Sequence, residues 1–62
     1  MPLVTIKIIE GRTVEQKRGM AMDVTAAIVK NIGCSPEAIH IDIIDLKKEN
    51  YAQGGELFSD IS

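Results

Sequence analysis

Apolar and polar positions alternate at the two ends of this chain and recur at helical spacing between them. Leu3 to Ile9 reads Leu-Val-Thr-Ile-Lys-Ile-Ile, with Val4, Ile6 and Ile8 on one face. Its β-branched residues and period of two predict a strand. Glu10-Gly11-Arg12 is the turn that leaves it. Thr13 followed three residues later by Gln16 matches a capping box, so a helix is predicted to start there. Ala21, Val24, Ala27 or Ile28, and Ile32 then recur at helical spacing. Gly33 stands where a left-handed residue ends a helix. Cys34-Ser35-Pro36-Glu37 is a connector. Ile39 to Ile44 alternates again, with Ile39, Ile41 and Ile43 on one face and His40 on the other, which predicts a second strand. Lys47 to Gln53 is polar, Gly54-Gly55 is a turn, and the tail from Glu56 either closes a short hairpin arm or lies on a partner.

The lengths of these elements agree with one another. About eight strand residues span roughly 26 Å, and about nineteen helical residues span roughly 28 Å. The helix therefore carries the chain back to its starting level, and the two strands are predicted to run parallel with a right-handed crossover. The expected architecture is an α/β fold, a βαβ unit with a short C-terminal hairpin arm. Residues 1–62 read as one domain, with no linker or repeat inside it.

Composition adds a constraint that the pattern does not show. A chain of 62 residues buries only roughly 60% of its unfolded surface and usually needs a staple or a partner. Cys34 is the single cysteine, so an intrachain disulfide is impossible, and Cys34 with His40 falls short of a four-ligand zinc site. Hydrophobic residues nevertheless make up 45% of the chain. A second copy of the chain is the simplest cover for that surface, so an obligate homo-oligomer is expected. The net charge of −2 argues against a nucleic-acid or anionic-membrane partner. The apolar runs are too short to cross a bilayer. Lys7 and Glu10 interrupt any secretory signal, and a lone thiol fits the cytoplasm.

Four residues stand out as candidate chemistry. Removal of Met1 would leave Pro2 with a secondary amine. An α-amino group titrates at about 7.7–8 in peptides, and an apolar wall or a nearby cation lowers that further. Such an amine is a competent general base near neutral pH. Taken alone, though, a Met-Pro start is more simply a strand-leading proline whose missing N–H does no harm. Arg12, in the turn after the strand, has the planar fork that grips a carboxylate, though an isolated arginine is ordinarily just solvated. Ten extended residues separate it from Pro2 by roughly 30 Å. The two meet only if first strands of two copies pair antiparallel across a two-fold axis, which makes any shared site composite.

His40 lies at the Pro2 end of the second strand. It is either a hydrogen-bond donor to a substrate oxygen or an interface histidine. Tyr51 lies beyond the far end of that strand and would reach a Pro2 site only from a neighbour. Cys34 reads as a passive small apolar residue, because no base is placed near it. Met20 and Met22 read as packing or subunit contacts. Gly54-Gly55 reads as a turn that also permits close approach of another backbone.

Together these residues resemble the 4-oxalocrotonate tautomerase family over nearly the whole chain. The resemblance is carried by Met1-Pro2 before an apolar strand, Glu10-Gly11-Arg12-Thr13 with Glu15-Gln16-Lys17, the βαβ pattern, and Gly54-Gly55-Glu56. It implies the tautomerase (MIF-like) fold, a sheet extended by oligomerisation, and a homohexamer built as a trimer of dimers, with a dimer as the smaller option. It implies catalysis without metal or cofactor, Pro2 as the proton-shuttling base, and Arg12 from a neighbouring subunit as the carboxylate anchor. Two positions depart from the family pattern. His40 replaces an arginine that contacts the substrate's 2-oxygen and nearby carboxylate, and Tyr51 replaces a phenylalanine of the site wall. His40 gives one hydrogen bond but no fixed cationic fork. Losing a charge-assisted contact costs about 1.5–3 kcal/mol, which is roughly tenfold to a hundredfold in transition-state binding.

The expected function is a cofactor-independent keto-enol tautomerase, an isomerase acting on small 2-hydroxy-dienoate or enolpyruvate-like acids. Pro2 and Arg12 are its catalytic pair, and His40 and Tyr51 line the substrate pocket. One rival is a hydratase, dehalogenase or decarboxylase on the same fold, in which a cationic proline acts as an acid and a carboxylate activates water. Asp42 is the strand carboxylate nearest to such a site. The other rival is a non-enzymatic oligomeric scaffold.

Overall fold

The computed structural model describes residues 1–61. Strand β1 (Leu3–Ile9) is followed by helix α1 (Val14–Ile32), a single 3-10 turn at Pro36–Ala38, strand β2 (His40–Leu46) and a second 3-10 turn at Lys48–Asn50. The short strands β3 (Ala52–Gln53) and β4 (Glu56–Leu57) and the one-turn helix α2 (Phe58–Ile61) complete it. β1 and β2 pair in parallel, from Leu3 opposite His40 to Ile9 opposite Leu46. The predicted βαβ unit with parallel strands and a C-terminal hairpin is therefore the observed one.

The alternation seen in sequence becomes two unlike sheet faces. Val4, Ile6 and Ile8 on β1 and Ile41 and Ile43 on β2 are half-buried under α1. The opposite face carries Leu3, Thr5, Lys7 and Ile9 beside His40, Asp42, Ile44 and Leu46, and none of the described residues covers its centre. β2 starts one residue later than the alternation suggested, because the Ile39 N–H donates back to the Pro36 carbonyl at 3.1 Å and closes the 3-10 turn. It runs two residues further, to Leu46. There Ile9 supplies the last ladder partner, and the Glu10 N–H donates to the Leu46 carbonyl at 2.8 Å.

Helix α1 begins and ends as its sequence dictates. The Gln16 N–H donates to Thr13 Oγ1 at 3.1 Å, and the Thr13 N–H donates to Gln16 Oε1 at 2.9 Å. This reciprocal pair satisfies two of the four orphan donors of the first turn. Gly33 closes the helix at φ +83°, its N–H bonded to the Val29 carbonyl at 3.0 Å. The half-buried stripe is Lys17, Met20, Ala21, Val24, Thr25, Ile28 and Val29. Ile28 rather than Ala27 thus holds the sheet-facing position. Ile32 is 68% exposed and Met22 67% exposed, so neither contributes to packing within the chain. Lys17 Nζ pairs with Asp45 Oδ2 at 2.6 Å and ties the start of the helix to the end of β2.

Gly54 and Gly55 have φ of +61° and +85°. Two successive left-handed residues form the tight two-residue turn that matches hairpin twist, and Gln53 pairs with Glu56 across it. The arm folds back so that the Phe58 N–H donates to the Tyr51 carbonyl at 2.7 Å. Their rings meet edge to face with centroids 5.8 Å apart.

No described residue is fully buried. The radius of gyration is 14.7 Å, against roughly 11 Å for a compact chain of this length. The protomer is a slab 43 × 23 × 14 Å, one sheet and one helix thick. Among the described residues both outer sheet edges are unpaired.

Candidate active site

Each predicted site residue sits at an end of the β1–β2 sheet. Pro2 leads into β1, and its carbonyl accepts the His40 N–H at 3.1 Å. The two residues are therefore neighbours in the ladder. Alternation carried back from Val4 puts Pro2 on the helix side, where it is half-buried, whereas His40 is exposed on the open face. Within one chain they share an end of the sheet but not a face of it.

Arg12 lies at the other end, in the four-residue link from β1 to α1. Gly11 there has φ +116°, a backbone state that residues with a Cβ rarely adopt. The Arg12 side chain makes no hydrogen bond or ion pair with the described residues. It lines a small pocket of about 140 Å³ with Ile8, Gln16, Lys17 and Met20 on the helix side of the sheet. Tyr51 lies at the same end but on the open side. It lines a cleft of about 600 Å³ with Lys7, Ile9, Leu46, Gln53 and Phe58. The seven residues of β1 alone put roughly 20 Å between the Pro2–His40 end and the Arg12–Tyr51 end. Among the described residues of one protomer the four candidates therefore fall into two separate groups.

The electrostatics of the Arg12 end were only partly legible in sequence. Lys17 stands beside Arg12 in the pocket, but its charge is taken up by Asp45 at 2.6 Å. Arg12 is thereby left as the uncompensated cation of that pocket. Glu10 accepts a 3.4 Å hydrogen bond from the Lys48 N–H through Oε2. Asp45 lies 28 positions from Lys17, and no local spacing rule connects the two. Lys7, which lines the Tyr51 cleft, was likewise not singled out, because an isolated strand lysine carries no motif. Among the described residues no group of three His, Cys, Asp or Glu side chains is placed to hold a metal ion. Among the described residues no helix is long and apolar enough to cross a membrane.

Comparison with known proteins covers nearly the whole chain. Residues 2–61 match the family model described as tautomerase enzyme. The 2-hydroxymuconate tautomerase of Bacillus subtilis strain 168 is 44% identical over 61 residues, which is 98% of each chain. The crystal structure of YwhB, a homologue of 4-oxalocrotonate tautomerase, superposes with a TM-score of 0.93 at 43% identity, covering 98% of this chain and 100% of that one. A 4-oxalocrotonate tautomerase isozyme structure from Methylibium petroleiphilum gives a TM-score of 0.93 at 32% identity, over 97% of this chain and 94% of that one. Fold, length and sequence agree from end to end, and the chain belongs to the tautomerase family of isomerases, among its 4-oxalocrotonate tautomerase-like members.

Proposed function

We propose that this protein is a cofactor-independent keto-enol tautomerase of small 2-hydroxy-dienoate or enolpyruvate-like acids, with the amine of Pro2 as its general base. The observation that carries this reading is the division of the candidate residues between opposite ends of β1, in a chain that belongs to the tautomerase family. While Met1 is attached, the Pro2 nitrogen is an amide with no basic lone pair. The active form is therefore the chain that begins at Pro2.

In that form the neutral amine takes the proton of the substrate's 2-hydroxyl. The electron pair moves through the conjugated system, and the resulting ammonium returns a proton to carbon. One O–H bond is exchanged for one C–H bond, with no net redox change. Arg12 of a neighbouring copy grips a carboxylate and draws the developing negative charge toward itself. His40, donating one hydrogen bond to a substrate oxygen, and Tyr51, closing the pocket wall, both lie on the open face and so reach the pocket from further copies of the chain.

Assembly completes the site. Antiparallel pairing of β1 with a second β1 removes two open edges and sets the Pro2 end of one copy beside the Arg12 end of the other. The uncovered sheet face, with Leu3 76% exposed and Ile44 41% exposed, supports a larger closed assembly. A homohexamer built as a trimer of dimers is the expected state, in the cytoplasm.

The deciding experiment pairs intact mass with a tautomerase assay on 2-hydroxymuconate and phenylenolpyruvate. The first of these is what the B. subtilis relative acts on by its name. Activity confined to the form lacking Met1 supports Pro2 as base. A processed form inert on both substrates refutes it. A pH–rate profile separates the rival chemistry, because a base mechanism loses activity below the amine's pKa and an acid mechanism loses it above.

A further inference from the structure

We propose that Lys17 and Asp45, with Glu10, form a clamp that positions Arg12 for carboxylate binding and links it to the segment that carries Tyr51. The inference rests on the reading of Arg12 as the anchor.

The link from β1 to α1 is short, and Gly11 makes its backbone permissive, so something must fix where Arg12 points. Both of its sides are tied to the last two residues of β2. On the strand side, the Glu10 N–H donates to the Leu46 carbonyl at 2.8 Å. On the helix side, Lys17 meets Asp45 at 2.6 Å. The capping box closes the interval between them, at Thr13 and Gln16. The Glu10 carboxylate also accepts from the Lys48 N–H at 3.4 Å, at the start of the 3-10 turn that leads into Tyr51. One cluster thus ties together the two segments that carry the candidate residues of this end.

The pair also has an electrostatic consequence. Arg12 and Lys17 line the same pocket, and two neighbouring cations oppose one another. Asp45 holds the Lys17 ammonium away from an incoming carboxylate, so the planar fork of Arg12 becomes the group that binds it. The side chains of Lys17 and Asp45 are 27% and 46% exposed. Exposed pairs add little to global stability, so removing this one should leave folding and assembly intact. An effect of the pair on the site can then be separated from an effect on the fold.

The test compares Lys17→Met, Asp45→Asn and Lys17→Arg in the processed full-length protein, each also combined with Arg12→Ala. Lys17→Met and Asp45→Asn should speed amide exchange at Glu10 and Thr13, whose N–H groups are bonded in this cluster, about fivefold, and Lys17→Met should raise KM for 2-hydroxymuconate about fivefold with kcat nearly unchanged. Lys17→Arg, which keeps the ion pair, should restore both readouts. On the Arg12→Ala background the KM effect should vanish, because residues acting through one another are not additive. Unchanged exchange overturns the clamp. So does a KM effect of the same size with and without Arg12. If the wild-type enzyme is inert on enol acids, the proposed function falls by itself. Exchange, together with calorimetric binding of adipate as a non-reacting dicarboxylate, then still decides the clamp: adipate binding weakened in Lys17→Met and restored in Lys17→Arg supports it, and equal binding in all three overturns it.

Discussion

Pro2 and Arg12 differ in what their removal should do. Replacing Pro2 by Ala in the processed chain leaves a primary amine on a more mobile chain end. Because that amine is displaced and not removed, the expected loss in kcat is about 10²-fold, the low end of the usual worth of a positioned general base, read from steady-state rates with assembly checked by mass. Replacing Arg12 by Ala should instead lower kcat/KM for an acid substrate roughly tenfold to a hundredfold, the cost of one charge-assisted contact. On the proposed reading, Tyr51→Phe removes a phenol from the pocket wall. A less polar wall disfavours the ammonium form of Pro2, so the acid limb of the pH–rate profile should move to lower pH. These three residues could be singled out in the sequence because the family resemblance gives each position a meaning that its residue type alone does not. Lys17, Asp45 and Glu10 could not, because a charged residue at a strand end or on a helix face is ordinarily solvated, and their pairing spans β1, α1 and β2.

The elements follow local rules closely. Thr13 and Gln16 start α1 and Gly33 ends it, as their types and spacing require. Thr13→Ala should cost about 1 kcal/mol, the usual worth of an N-cap, measured as a lower denaturant midpoint at fixed protein concentration. The β1 alternation set which residues face the helix without error, because the side-chain period of a strand leaves no freedom once one face is buried. The limits of β2 were less legible. Ile39 fits the apolar alternation, yet its N–H is used by the 3-10 turn, and the strand continues to Leu46 because β1 offers partners that far. The one-turn helix α2 and the contact between Tyr51 and Phe58 had no periodic signal, since four residues are too few to show one.

At the scale of the whole molecule the protomer leaves its packing incomplete and its candidate residues divided between two ends. No described residue is buried, and Leu3, Ile44, Met22 and Ile32 all face outward. Isolated protomers should therefore not survive dilution, and the thermal midpoint should rise with protein concentration, as it does whenever folding is coupled to association. Ile44→Lys, in the open sheet face, places a charge where a partner must pack. It should lower the solution mass and the helical circular dichroism together. A monomer that kept its helix would show that the slab is stable alone.

The sequence by itself determined the order of the main elements, the faces of the strands and both ends of the helix. All of these rest on interactions within a few residues, or on a periodicity that repeats locally. Only the tertiary structure decided that His40 and Pro2, at the same end, lie on opposite faces, and that Arg12 and Tyr51 open into different pockets. It alone placed Asp45 against Lys17, because which distant groups meet is fixed by the register between β1 and β2 and by how α1 lies across them.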